Sequence, residues 1–403
     1  MTARYVPCKS PRMRWRFPGP NDVSETERRT AVLLAMARFW QQFVQAAPQL
    51  VATFSREADF DIPTFMAQHL SAVDSRLMWE YGPPFRDGAQ RLVITVEGER
   101  QLRPLLDALL AQAPALPGWE FYPYRMPESW EDARATVAGR TEIDVSAWRV
   151  RATRGEFHFV DLKWFLPPGT EGEHLQYTAF ILSEALLGEE VVVTWVGDIS
   201  LETESPEAHG QDPESLPARV RELVAEIDET LPRDAQSSTD ESFLFELVPE
   251  DEEDYSGRQD LFVATTHGMA DLWKAAHSDF AFSSRRFSKA GETFCYVKMD
   301  GRDDVNHGDV EARAKIAAAL DELLLPSGLG AVIGGGTGRR YSYVDLALRH
   351  LDHGLAEVRG ALQRAGVPEH SWLLFFDAHL AGEWVGIYDT TPPPLLEETQ
   401  DDD

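Results

Sequence analysis

Between residues 293 and 377 strand-like and helix-like runs follow one another in the order β-α-β-β-α-β. The strands read at 293–299, 330–333, 341–347 and 372–377, and the helices at 310–325 and around Leu351, Leu355, Val358 and Leu362. Pro326 and Gly328 stop the first helix, and Gly366 stops the second. This is the split βαβ order of ferredoxin-like folds. Further strands are expected at 280–283 and 384–388, and a helix near 269–276.

The first half reads in a similar order behind a helical opening. Ser24 and Glu27 form a capping box. Behind it Met36, Phe39, Trp40 and Phe43 recur at helical spacing, with Pro48 expected to end the run. A short helix follows at 62–73. Strands at 77–81 and 91–96, a helix with Pro104 in its first turn, and a strand at 119–124 come next. A hairpin at 148–165, a helix at 177–187 and a β-branched strand at 190–196 complete the half. Phe159, Val160, Asp161 and Leu162 echo Tyr343, Val344, Asp345 and Leu346. The echo suggests a diverged duplication of the two halves.

The expected fold class is therefore α+β: two ferredoxin-like or related sheet domains, antiparallel or mixed, with helices on one face and an N-terminal helical segment. The expected units are a basic flexible arm at 1–20, a first domain at 21–197, an acidic linker with one helix at 198–257, a second domain at 258–390 and an acidic disordered tail at 391–403.

Charge sets the expectation for partners. The chain of 403 residues carries a formal charge of −29. Residues 198–254 hold nineteen Asp or Glu against three Arg, and 397–403 add five more acids, so 21 of the 29 excess charges lie in two segments. Such a field repels nucleic acid and anionic membranes and attracts basic proteins. Glu250, Asp251, Glu252, Glu253 and Asp254 are the candidate partner-binding residues. The plainer reading of an acidic run is a solubilising linker. No run approaches the roughly 18 apolar residues of a membrane span, and no apolar stretch follows the basic N-terminus. The two cysteines, Cys8 and Cys295, are far apart. A cytoplasmic setting without a structural disulfide is expected.

Chemical motifs are sparse. Gly334, Gly335, Gly336, Thr337 and Gly338, followed by Arg339 and Arg340, resemble an anion loop. The spacing fits neither a P-loop nor a dinucleotide fingerprint, and the bland reading is a glycine-rich hairpin. His350 and His353 stand three apart and could hold zinc, but Asp352 reads as a helix N-cap beside them. Asp377, His379 and Glu383 read as a solvated turn. Neither a nucleophile elbow nor a thiol-enzyme signature is present. No catalytic residue, metal or cofactor is expected.

The segments Trp79-Glu-Tyr-Gly82, Leu92-Val-Ile-Thr-Val-Glu-Gly98 and Gly334–Gly338 followed by Arg340-Tyr-Ser-Tyr-Val-Asp-Leu346 resemble a bacterial family of proteins of unknown function, over most of residues 75–390. The resemblance implies no activity. The expected function is a non-enzymatic binding protein, immunity-type or regulatory, that engages a basic partner. The alternatives are a small-molecule or anion sensor using Gly334–Arg340, and a hydrolase without a recognisable motif.

Overall fold

In a computed structural model the chain is described over residues 13–19, 23–86, 90–203, 210–238, 241–301 and 310–396. The 397–403 end of the expected acidic tail lies outside these residues, as do residues 1–12 of the basic arm. The protein is α+β, with three sheets of three, three and seven strands.

The first sheet follows two helices, α1 (Val23–Phe54) and α2 (Ile62–His69). Strands β1 (Met78–Gly82) and β2 (Gln90–Thr95) are antiparallel. Helix α3 (Arg103–Leu110) then crosses over to β3 (Trp119–Tyr122), parallel to β2. Met36, Phe39, Phe43 and Leu50 of α1 are fully buried against Leu92, Ile94 and Leu106. Helix α1 does not end at Pro48 but runs through it to Phe54. Proline removes one ladder hydrogen bond. Burial of Leu50 on its far side, worth about 1.5–3 kcal/mol, offsets that loss.

The second sheet repeats the same ββαβ scheme. Helix α4 (Trp130–Thr141) precedes antiparallel β4 (Arg149–Arg154) and β5 (Val160–Phe165). Helices α5 (Leu175–Leu187) and α6 (Glu189–Trp195) lead to β6 (Val196–Glu202), parallel to β5. Residues 190–196, expected as a strand, thus form most of α6. Glu189, Val192 and Trp195 are buried at three-residue spacing, so a helical face outweighs the β-propensity of Val191, Val192 and Val193. The first half holds two small sheets rather than one. The expected duplication of halves is not seen in the strand contexts: β5 is flanked by one antiparallel and one parallel neighbour, whereas the echoed Tyr343–Leu346 has antiparallel neighbours on both sides. The shared topology lies within the first half instead.

The 198–257 segment is woven into the structure on both sides. Helix α7 (Leu216–Thr230) buries Leu216, Val220, Leu223 and Ile227 in the core around Trp148 and Trp164. Strand β7 (Ser242–Glu246) joins the large sheet beside β8 (Leu261–His267).

That seven-stranded sheet continues through α8 (Ala270–Ala276), β9 (Thr293–Asp300), α9 (Val310–Ser327), β10 (Gly330–Gly338), β11 (Tyr341–Leu348), α10 (Leu351–Ala365), β12 (Ser371–Phe375) and the short β13 (Val385–Gly386). Its order is β13-β12-β9-β11-β10-β8-β7. The four strands of the β-α-β-β-α-β unit therefore lie as fourth, first, third, second, with every pairing antiparallel. Residues 280–283 are not a strand. Cys295, Val297, Val344 and Leu346 face α9 and α10. Tyr296, Tyr341, Tyr343 and Trp372 line the opposite face with Trp273 of α8.

Residues 13–19 of the expected arm are docked on the large sheet's end. Glu383 accepts hydrogen bonds from the Trp15 and Phe17 amides at 2.6 and 2.9 Å. Buried Arg14 pairs with Glu25 at 2.7 Å and stacks over Trp384.

Candidate functional site: the acidic sheet edge

Gly334, Gly335, Gly336 and Thr337 lie inside β10 with strand partners on both sides, and Gly338 ends the strand opposite Leu261, so they are not the loop the sequence suggests. The hairpin turn falls on Arg339 and Arg340. Glycine is required here by close approach. A Cβ at Gly335 would lie 2.3 Å from the Tyr343 carbonyl oxygen, and one at Gly338 would lie 2.1 Å from an Asp260 carboxylate oxygen. Strand amides committed to a ladder do not converge on an anion.

Arg339 and Arg340 are engaged by the acidic segment itself. Arg339 meets Asp251 at 2.5 Å, and Arg340 meets Asp254 at 2.7 Å. The structure thus joins two separate sequence candidates into one ion-paired corner. Burial pushes the Asp254 carboxyl up, but hydrogen bonds from the Tyr341 hydroxyl and the Tyr255 amide outweigh it and hold it below its ordinary value. Glu250, Asp251, Glu252 and Glu253 remain exposed.

Behind this corner lies a polar network built on β9 and β11. Asp260 accepts from the Tyr343 hydroxyl at 2.6 Å and from the Arg340 and Tyr341 amides. Arg258 pairs with Asp345 at 2.9 Å, both almost fully buried. Lys298, 1% exposed, donates from Nζ to the Tyr255 carbonyl at 2.5 Å and lies over the Tyr341 ring. These contacts pin the 254–258 turn over the sheet. A lysine at the centre of an apolar strand, Phe294-Cys-Tyr-Val-Lys298-Met299, was the sequence signal for this network.

Burial pushes the Lys298 ammonium down from 10.5 to about 8, against the pull of Asp260 and Asp254. Between those two values the unfolded chain binds this proton more tightly than the folded one, so the contribution to stability rises with pH. From pH 7.5 to 10.5 wild type should gain about 2–3 kcal/mol relative to Lys298→Met, at about 1.4 kcal/mol per unit. Urea unfolding of both proteins across that range is the measurement. A difference independent of pH would show that the ammonium is not held at this lowered value.

His350 occupies the N-cap position of α10 in place of Asp352, and both it and His353 are exposed. His353 has Glu357 as a neighbour at 3.9 Å. Among the described residues no group of three or more His, Cys, Asp or Glu could hold a metal ion. Asp377 and Glu383 are buried rather than solvated: Asp377 accepts from the Ser284 amide, and Glu383 holds the N-terminal segment.

The feature most open to a partner is β7. It ends the large sheet, with β8 as its one strand neighbour among the described residues. Leu244 is 63% exposed, Phe243 37% and Phe262 of β8 47%, and Val248 just beyond is 95% exposed. Phe245 turns inward and stacks on Trp273 at 4.0 Å, which fixes the strand. Residues 241–254 contain seven Asp or Glu and no Lys or Arg. An apolar strand with one edge unpaired among the described residues is thereby framed in negative charge.

No protein-family model, curated protein or solved structure matches this chain. Among the described residues, no helix is long and apolar enough to cross a membrane.

Proposed function

We propose that the protein is a non-enzymatic binding protein of the cytoplasm, immunity-type or regulatory, that takes an extended basic segment of a partner protein along the free edge of β7. The observation that carries this reading is the apolar edge strand set beside the exposed acids Glu246, Glu250, Glu252 and Glu253. Free strand edges template pairing with other chains, and natural sheets usually blunt them with lysine, proline or a covering element. Here the edge keeps leucine and phenylalanine and is guarded only by carboxylates. Main-chain pairing would supply affinity, and Glu246, Glu250, Glu252 and Glu253 would select a cationic strand and steer its approach. Sheets of this α+β kind host many functions, so the site and not the fold supports the reading.

Captures from a lysate at low and high salt, with wild type and Leu244→Asp as baits, test it. Wild type should retain a basic protein at low salt and release it as salt rises. Leu244→Asp should weaken the titrated affinity of that protein by about tenfold or more, the usual cost of losing an interface residue worth over ~1.4 kcal/mol. Retention indifferent to both salt and Leu244→Asp would remove the edge from consideration.

A further inference from the structure

A second site, independent of the β7 edge, lies where the three sheets meet. A cavity of about 250 Å³ is lined from the first unit by Arg100, Arg103 and Tyr124, from the second by Thr194, and from the third by Ser283 and Ala378, among others. Arg100 also lines two neighbouring clefts of about 570 and 880 Å³, so it stands at the point where all three spaces converge.

The cationic groups here differ in how they are compensated. Arg103 stacks on Tyr124 at 3.9 Å and reaches Glu189 at 3.5 Å. Arg285 pairs with Glu190 at 2.7 Å. Arg100, half-buried, has no carboxylate within 4 Å among the described residues, and neither has Arg286, which is completely buried. Arg286 donates to the carbonyls of Thr194 and Ala281, two residues of the cavity wall, at 2.9 Å each, and lies over the Phe159 ring at 3.7 Å. Those carbonyls take up its two terminal nitrogens, its buried Nε has no hydrogen-bond partner, and no carbonyl carries a full opposing charge. The carboxylates of the wall are occupied or open to water: Glu97 is held by Arg125, Asp377 by the Ser284 amide and hydroxyl, and Asp107 is exposed. Burial lowers the pKa of Arg100, and burial together with the charge of Arg100 pushes Arg286 down to about 9 against the opposing pull of Asp377. The charge of Arg100 thus weighs on buried Arg286 beside an open space, Asp377 draws the other way from beyond ion-pair distance, and Arg100 itself faces that space without a carboxylate partner among the described residues.

We propose that this cavity binds a small anion, presenting a phosphate or carboxylate group to the Arg100 guanidinium with Tyr124 and Ser283 beside it. A guanidinium offers the planar donor fork that both groups accept. A volume near the lower end of ligand pockets fits a small metabolite rather than a nucleotide. This anion site uses none of Gly334–Arg340, whose arginines already have carboxylate partners.

Thermal unfolding in a chloride buffer, with inorganic phosphate or succinate added at matched ionic strength, tests the site. Wild type should show a midpoint rise of several degrees with at least one of the two, and which one responds separates phosphate from carboxylate ligands. Arg100→Gln should lose that response and, by relieving the repulsion with Arg286, unfold at a higher temperature than wild type in chloride alone. Ala378→Leu keeps every arginine and fills the cavity, so it too should lose the response. Leu244→Asp should keep it. No rise with either anion, or an equal rise in Arg100→Gln and Ala378→Leu, would overturn the proposal.

Discussion

Asp345→Ala is expected to destabilise the protein by about 3–5 kcal/mol, the cost of leaving one charge of a buried pair without its partner. Arg258 and Asp345 have side chains only 5% and 4% exposed, and the guanidinium also lies over the Tyr343 ring at 4.8 Å. Burial pushes the Asp345 carboxyl above its ordinary value against the pull of Arg258, so the pair is held at a cost from the start. The double replacement Arg258→Met with Asp345→Leu should therefore recover most of the loss, because apolar groups of similar volume avoid desolvation altogether. Denaturant unfolding of wild type, Arg258→Met, Asp345→Leu and the double variant forms a complete cycle. Additive losses would mean that the two groups do not act as a pair.

Gly335→Ala is the second large effect. The added Cβ would stand 2.3 Å from the Tyr343 carbonyl oxygen, which is itself fixed in the β10–β11 ladder. Neither strand can withdraw without breaking its hydrogen bonds, so the loss should reach or exceed the upper end of the ~1–3 kcal/mol typical of overpacking. Gly382→Ala, where a Cβ meets nothing within 4 Å, is the control and should change stability by less than about 0.5 kcal/mol. Equal unfolding midpoints for the two variants would show that the glycine run is there for some reason other than strand approach.

The order of elements in the second half was legible because each has its own periodicity and punctuation. Leu351, Leu355, Val358 and Leu362 mark one face of α10, and Gly366 ends it in the left-handed conformation. Three features were hidden, each for a physical reason. Residues 191–193 are three valines, and local propensity favours a strand, but burial of Val192 and Trp195 on one side makes a helix. The glycine run looked like a turn because glycine signals freedom in one dimension. In three dimensions it signals backbone crowding, at Gly334 from Thr265, 69 positions earlier, and at Gly335 from Tyr343, 8 positions later. The acidic segment looked like a linker because composition does not show which carboxylates find arginines. Asp251 and Asp254 do so 88 and 86 residues away, at Arg339 and Arg340. The cavity at Arg100 draws on all three units, and no spacing in one segment announces it.

The docking of residues 14–17 has a consequence for the order of events during synthesis. Their partners lie some 370 positions later, at Glu383 and Trp384 and, for the Phe17 ring, at Phe375. At about 5–20 residues per second a ribosome needs roughly 20–80 s to travel that far. Throughout this interval the Trp15 and Phe17 amides and the Phe17 ring lack their partners at Glu383 and Phe375, while the first two units can already close their own cores, the Trp15 side chain included. The contact that anchors the opening of the chain is therefore among the last to form on the ribosome, and a chaperone that shields aromatic segments would have its longest opportunity there.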